Sequence, residues 1–164
     1  MKEKRTNLIV GASVLIACII VLASSCSLKQ RISGVWEVKS IGKYINGKQQ
    51  GEPTVYPITK GDVTTHVYYC FTSGGLYYWA KKDIGGNNPG LYRDSGKSFT
   101  TDGNRLIISG HYDEVIEIKG NKATSTIETV DTKTNPPTIA RTVISLEKVK
   151  SPSVKDIQNA KQEK

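Results

Sequence analysis

Runs rich in β-branched and aromatic residues recur between residues 34 and 149, and turn signals such as Asn46-Gly47 and Asp102-Gly103 separate them. Residues of these types favour strands over helices. The runs arrive about every ten residues, which is the spacing of an antiparallel barrel or sandwich. No parallel β-α-β pattern is visible, so a doubly wound α/β fold is disfavoured. The sequence therefore predicts an all-β domain of about eight antiparallel strands.

The clearest predicted strand covers 63–72 (VTTHVYYCFT), and a turn at 73–75 leads to a partner strand at 76–81. A Gly-, Asn- and Pro-rich stretch at 83–90 is predicted to be a loop. The other predicted strands are 34–41, a short 55–60, 96–101, 105–110, 114–119, 122–130 and 139–149.

Alternation along each predicted strand assigns side chains to the two faces of the sheet. Tyr69 and Phe71 fall on one face of their strand, and Tyr68 falls on the other. In the first strand, Trp36 shares a face with Val38 and Ser40, whereas Val35, Glu37, Lys39 and Ile41 share the opposite face.

The domain is predicted to span 34–150 and to be followed by a polar C-terminal segment, 151–164. Ser153 and Asp156 are spaced as in a capping box, which predicts a short helix at this point. Few residues of the segment are apolar, so a frayed tail is the alternative.

The N-terminus has the pattern of an export signal. A basic KEKR segment precedes an apolar stretch from Leu8 to Ala23, and small residues follow it. This stretch of 16 residues is shorter than the roughly 20 that span a bilayer core. We therefore expect residues 1–25 to be a cleaved signal peptide, with a retained membrane helix as the alternative.

The sequence Ala23-Ser24-Ser25-Cys26 resembles the lipobox of bacterial lipoproteins. The resemblance implies cleavage before Cys26, a diacylglycerol on its thiol and a lipidated tether at 26–33. It also implies an outer-membrane lipoprotein that faces the periplasm or the cell surface. A second candidate is Leu15 to Cys18, but cleavage at Cys18 would leave an apolar run at the new N-terminus.

The choice of lipidated cysteine decides the state of Cys70. If Cys26 is lipidated, Cys70 is the single thiol of the mature chain, and a lone cysteine in a strand is usually a small buried apolar residue. If Cys18 is the anchor, Cys26 and Cys70 are able to form a disulfide.

The triplet Gly34-Val35-Trp36, at the start of this all-β chain, resembles the G-x-W motif of lipocalins. The domain as a whole is similar to small lipocalin-like lipoproteins. This resemblance implies an up-and-down barrel in which Trp36 plugs one end. It also implies that an arginine from a late strand packs over the tryptophan, and Arg141 on the last predicted strand is the candidate.

Aromatic residues are concentrated on the hairpin of 63–72 and 76–81. We expect four of them to line a cavity for a small, partly apolar ligand: Tyr69, Phe71, Tyr77 and Trp79. In the alternative, rings fill the core and also form an exposed face that docks another envelope protein, as an accessory or inhibitor module.

Nothing in the sequence indicates catalysis, a cofactor or nucleic-acid binding. The formal charge is +8, but the basic residues are scattered singly and suggest a solvated surface. No short catalytic or phosphate-binding motif is present. His66 together with His111, Asp113 and Glu114 is the only metal-ligand set considered, and its spacing does not require a metal. A hydrolase with two carboxylates in the barrel mouth is a third, weaker alternative.

Overall fold

A computed structural model describes residues 27–109 and 113–163. The elements in chain order are α1 (Leu28–Ile32), β1 (Gly34–Ile45), β2 (Lys48–Gln49), β3 (Thr54–Val55), β4 (Ile58–Lys60), β5 (Val63–Phe71), β6 (Leu76–Ile84), β7 (Gly90–Arg93), β8 (Lys97–Asp102), β9 (Arg105–Ile108), β10 (Asp113–Lys119), β11 (Lys122–Asp131), β12 (Thr138–Val149), α2 (Val154–Gln158) and β13 (Lys161–Gln162).

Eight of these strands form a closed antiparallel barrel. The order around the ring is β1, β5, β6, β8, β9, β10, β11 and β12, and β1 closes it by pairing with both β12 and β5. Closure leaves no free edge within the ring, which is how antiparallel sheets of this size avoid pairing with other chains. The predicted all-β, eight-stranded barrel is confirmed.

The barrel has two different ends. One, the closed end, carries α1 and the turns at 72–75, 103–104 and 120–121. The other, the mouth, carries the turn at 46–47 and the connections at 85–89 and 132–137. The strands alternate in direction, so each hairpin turn lies at one of these two ends.

Strand β1 contains a bulge that the sequence pattern did not reveal. The register with β12 shifts between Val38 and Ser40, so Val38 lies opposite Leu146 and Ile41 lies opposite Ile144. One extra residue reverses the facing of every later side chain. Ile41 therefore packs against the interior with Val38, and the predicted opposite facing of Ile41 is wrong.

The C-terminal segment folds back onto the outside of the barrel. The predicted capping box is present: the Asp156 N–H donates to Ser153 Oγ, and the Ser153 N–H donates to the Asp156 carboxylate at 2.8 Å. Ile157 of α2 is fully buried against Tyr68 and Cys70, the outward-facing residues of β5. The predicted burial of Cys70 is confirmed, and this burial raises the pKa of its thiol to about 12.

At the closed end, the residues predicted to be a tether form a helix instead. Ile32 of α1 is completely buried, and its carbonyl accepts a hydrogen bond of 2.6 Å from Trp36 Nε1. Trp36 is also completely buried, so it plugs this end as the G-x-W resemblance implies.

The side chain that covers Trp36 comes from β12 but is not Arg141. Lys148 lies opposite Trp36 in the strand register, and its Nζ is 5.2 Å from the centre of the indole ring. Arg141 lies opposite Tyr44, near the mouth end of β12. It binds the Glu128 carboxylate at 2.5 Å on the exposed surface. The expectation for Arg141 is therefore wrong, because the position in the register decides which basic residue reaches the ring.

The stretch predicted to be a loop at 83–90 is only partly one. Strand β6 runs on to Ile84, and β7 then pairs with it over residues 90–93. Gly85 turns the chain between them at a φ of 83°, and a side chain there would collide with the Asp62 carbonyl oxygen at 2.0 Å. Strand β13 adds to β7 in parallel.

Candidate functional site

A cavity of about 410 Å³ lies inside the barrel. Strands β5, β6, β8, β9, β10 and β11 and the segment between β7 and β8 supply its walls. The lining residues are Tyr69, Tyr77, Trp79, Asp94, Lys97, Ile108, Glu114 and Ile127. The set combines aromatic rings, aliphatic side chains and a few polar groups, which is the usual composition of a small-molecule site.

Three of the four residues predicted to contact a ligand line this cavity, namely Tyr69, Tyr77 and Trp79. Phe71 does not line it. It lies closer to the closed end, completely buried, with its ring centre 5.2 Å from that of Tyr77 and 5.3 Å from that of Phe99. Phe71 therefore supports the cavity from below as part of the core.

Tyr69 and Tyr77 form a rigid aromatic wall. On the paired strands β5 and β6, Tyr69 lies opposite Trp79, and Tyr77 lies opposite Phe71. The rings of Tyr69 and Tyr77 meet edge to face with centres 5.4 Å apart. Their hydroxyl groups share a hydrogen bond, and burial raises the pKa of both phenols. Both side chains are therefore neutral at physiological pH and offer hydroxyl groups within a largely apolar wall.

Glu114 places a carboxyl group in the cavity wall. Its side chain is 5% exposed, and it accepts a hydrogen bond from Ser125 Oγ, which is completely buried. Burial raises the pKa of Glu114, and the Ser125 hydrogen bond offsets only part of that shift. The sequence pattern suggested Glu114 only as a metal ligand, although alternation along β10 places it on the same face as Ile116 and Ile118.

Asp94 is held at the rim by the backbone around it. Its carboxylate accepts hydrogen bonds from the Trp79 N–H at 3.2 Å and from the Gly96 N–H at 3.1 Å. These contacts tie the segment before β8 to β6, and they fix the position of the indole. Gly96 has a φ of 79°, and a side chain there would meet the Tyr78 ring at 2.4 Å.

A second cavity of about 440 Å³ lies beside the first, on the side of the strand β4. Trp79 lines both cavities, so its ring stands between them. Tyr56, Ile58, Val63 and Val67 supply most of the other apolar surface. A turn of the Trp79 side chain would therefore change the volume that is available on either side.

The residues considered for a metal do not come together. Asp113 points outward and binds Arg105, whereas the next residue, Glu114, points inward. His66 lies on the outer face of β5, where Nδ1 is 2.6 Å from the Glu37 carboxylate. Among residues 27–109 and 113–163, no three His, Cys, Asp or Glu side chains are grouped as metal ligands. His111 lies outside the described residues.

An exposed aromatic face is not found in the described part of the chain. Tyr68 and Tyr78, which face outward, are 4% and 8% exposed because α2 covers them. The large apolar residues exposed there are all aliphatic: Ile45, Val55, Leu76, Ile84, Val115 and Val130.

Comparison with known proteins found no matching family model, no matching curated protein and no matching solved structure. Within the part of the chain that the structure describes, no helix is both long enough and apolar enough to cross a bilayer. Cys18, Cys26 and the predicted signal peptide lie outside the described residues.

Proposed function

We propose that this chain is a membrane-anchored envelope lipoprotein whose barrel binds a small, partly apolar ligand. The observation that carries the proposal is the cavity of about 410 Å³ walled by Tyr69, Tyr77 and Trp79. Its volume falls within the range of roughly 300 to 1,000 Å³ that is usual for small-molecule sites.

The two kinds of lining residue have different roles in this proposal. The rings and the aliphatic side chains of Ile108 and Ile127 contact the apolar part of the ligand. The Tyr hydroxyl groups, Glu114 and Asp94 fix the orientation of its polar groups. A ligand that is entirely hydrocarbon would leave these buried polar groups without new partners, so it should bind less well than an amphipathic one.

The barrel interior can be tested by filling the cavity. The substitution Ile127→Trp puts an indole into the space, whereas Val130→Trp adds the same group to the outside of the same strand, at a residue that is 52% exposed. The measurement is titration of the purified full chain with an environment-sensitive naphthylamine dye. We expect I127W to weaken dye binding at least about tenfold and V130W to leave it unchanged.

Either of two results would contradict ligand binding in the cavity. If the dye does not saturate the wild-type chain, or if I127W binds it as tightly as V130W, the cavity is not a binding site. Mass spectrometry of extracts from the wild-type and I127W proteins would then be expected to show no molecule that is enriched on the wild type alone.

The anchor has its own test. Mass spectrometry of the mature N-terminal peptide should find a diacylglyceryl group on Cys26. Because the lipobox resemblance implies that cleavage follows lipidation of this thiol, Cys26→Ser should leave an uncleaved chain that still carries the apolar stretch from Leu8 to Ala23. Normal cleavage of C26S, with loss of cleavage in Cys18→Ser, would instead assign the anchor to Cys18.

A further inference from the structure

We propose that the closed end of the barrel lies against an anionic membrane surface, so that the mouth points away from the bilayer. The surface consists of five basic residues, here called the basic end: Lys29, Arg31, Lys119, Lys122 and Lys148. The inference rests on the proposed lipid anchor at Cys26, and it adds the orientation of the barrel and the lipid chemistry that it contacts.

Very little chain separates the proposed anchor from the barrel. Helix α1 begins at Leu28, so a single residue, Ser27, separates it from Cys26. Consecutive Cα atoms are about 3.8 Å apart, and two peptide links therefore reach at most about 8 Å. An acyl chain on Cys26 cannot be far from the start of α1.

Helix α1 is held against the barrel by burial and by hydrogen bonds. Ile32 is completely buried, and Arg31 donates a hydrogen bond of 2.6 Å to the Ile118 carbonyl at the end of β10. Lys148 Nζ donates to the Arg31 carbonyl at 3.2 Å. Because the helix cannot swing away, the closed end stays near the headgroups to which the acyl chains are attached.

The closed end of the barrel carries more basic than acidic side chains. Arg31, Lys119, Lys122 and Lys148 are exposed, and they surround α1 and the turn at 120–121. The carboxylates near the same end are Asp102 in the turn after β8, Glu117 beside Lys119, and Glu147 opposite Lys122. Basic residues outnumber them, and Lys and Arg bind lipid phosphates through charge-assisted hydrogen bonds. A surface of anionic lipid attracts such a group within about a Debye length.

The test uses the full lipidated chain in phosphatidylcholine vesicles, with or without a minority of phosphatidylglycerol. A fluorophore is placed on Asn121→Cys at the closed end or on Thr134→Cys at the mouth, since both positions are exposed. The native Cys70 is completely buried and adds little background labelling. Quenching by lipids that carry a headgroup spin label reports which end is at the membrane.

We expect N121C to be quenched several-fold more than T134C, and more strongly when phosphatidylglycerol is present. Equal quenching, or stronger quenching of T134C, on chains that sediment with the vesicles would overturn the orientation while leaving the anchor intact. Chains that stay in the supernatant with an unmodified Cys26 would contradict the proposed anchor itself, and with it this inference.

Charge is tested with two matched double variants on the N121C background. Lys119→Gln with Lys122→Gln removes charge from the basic end, whereas Lys43→Gln with Lys133→Gln removes the same charge near the mouth. We expect the first pair to abolish the extra quenching caused by phosphatidylglycerol and the second pair to retain it. If both pairs behave alike, the basic end does not bind anionic lipid.

Discussion

Glu114 accepts a hydrogen bond from Ser125 inside the barrel, where both side chains are almost completely buried. A buried carboxyl group costs stability unless it is neutral or well paired. Ser125 provides one hydrogen bond, and burial still raises the pKa of Glu114. Because this carboxyl group also faces the cavity, a polar group of the proposed ligand would give it a second partner.

The first prediction concerns the pH dependence that this carboxyl group causes. Its folded pKa lies above the unfolded value of about 4.5. The folded chain therefore binds the proton more tightly, and its contribution to stability is present below the unfolded pKa and lost as pH rises through the folded pKa. The neutral side chain of Glu114→Gln does not titrate. As pH rises through the folded pKa of Glu114, the stability of E114Q should therefore increase relative to that of the wild type.

The measurement is the urea unfolding midpoint over a series of pH values. Glu128→Gln, which removes one carboxylate that is 43% exposed on β11, is the matched control for a change in net charge. Parallel curves for E114Q and the wild type across the whole series would show that Glu114 titrates alike in the folded and unfolded chains.

The second prediction has the opposite sign and concerns Glu37, on the outer face of β1. Burial alone would raise its pKa, but the hydrogen bonds from His66 and Lys39 together outweigh that effect and lower it. A lowered pKa contributes stability above the unfolded value of about 4.5 that is lost as pH falls through the folded pKa. Glu37→Gln should therefore cost about 1–3 kcal/mol near neutral pH and less in acid.

Glu147→Gln is the control for Glu37, because its carboxylate also faces Lys39, at 3.6 Å, but is 38% exposed. An exposed ion pair is usually worth less than about 1 kcal/mol. The free energies of unfolding at neutral and acid pH separate the two variants. Equal losses for E37Q and E147Q would mean that the partial burial of Glu37 does not matter.

The strand pattern and the aromatic hairpin could be predicted from the sequence because both depend on local periodicity. The alternation that assigned Tyr69 to one face and Tyr68 to the other is the alternation found in β5. Depth along the barrel is not local. Phe71 shares the face of Tyr69 but lies one layer lower, so it was predicted to line the cavity and instead fills the core.

The remaining errors have the same origin in long-range register. The bulge near Lys39 changed the facing of Ile41, and nothing in that run of residues marks it. The basic residue over Trp36 is decided by the pairing of β1 with β12, which selects Lys148 and leaves Arg141 on the surface. Glu114 is a different case, because alternation along β10 already places it on the face of Ile116 and Ile118, and its inward position could have been predicted.

The third prediction tests the plug at the closed end. Trp36 is completely buried, donates a hydrogen bond to Ile32 and lies under Lys148. Trp36→Ala should lower the free energy of unfolding by about 3–5 kcal/mol, the usual loss for a large aromatic residue in a core. Arg141→Ala, on the surface, should change it by no more than about 0.5 kcal/mol. Urea unfolding measures both, and a loss for R141A as large as that for W36A would contradict the assignment of the plug.

The fourth prediction uses Cys70 to report whether α2 protects the outside of the barrel. Burial raises the pKa of this thiol to about 12, and only the thiolate reacts with alkylating agents. Iodoacetamide should therefore modify the native chain only through local opening. Ile157→Ala removes the fully buried side chain that covers Cys70 and should speed modification about tenfold for each 1.4 kcal/mol of lost protection.

Val130→Ala, at an exposed residue on β11, is the control and should leave the rate of modification unchanged. If I157A reacts as slowly as the wild type, Cys70 is protected by the strands alone, and the helix contributes nothing to that protection.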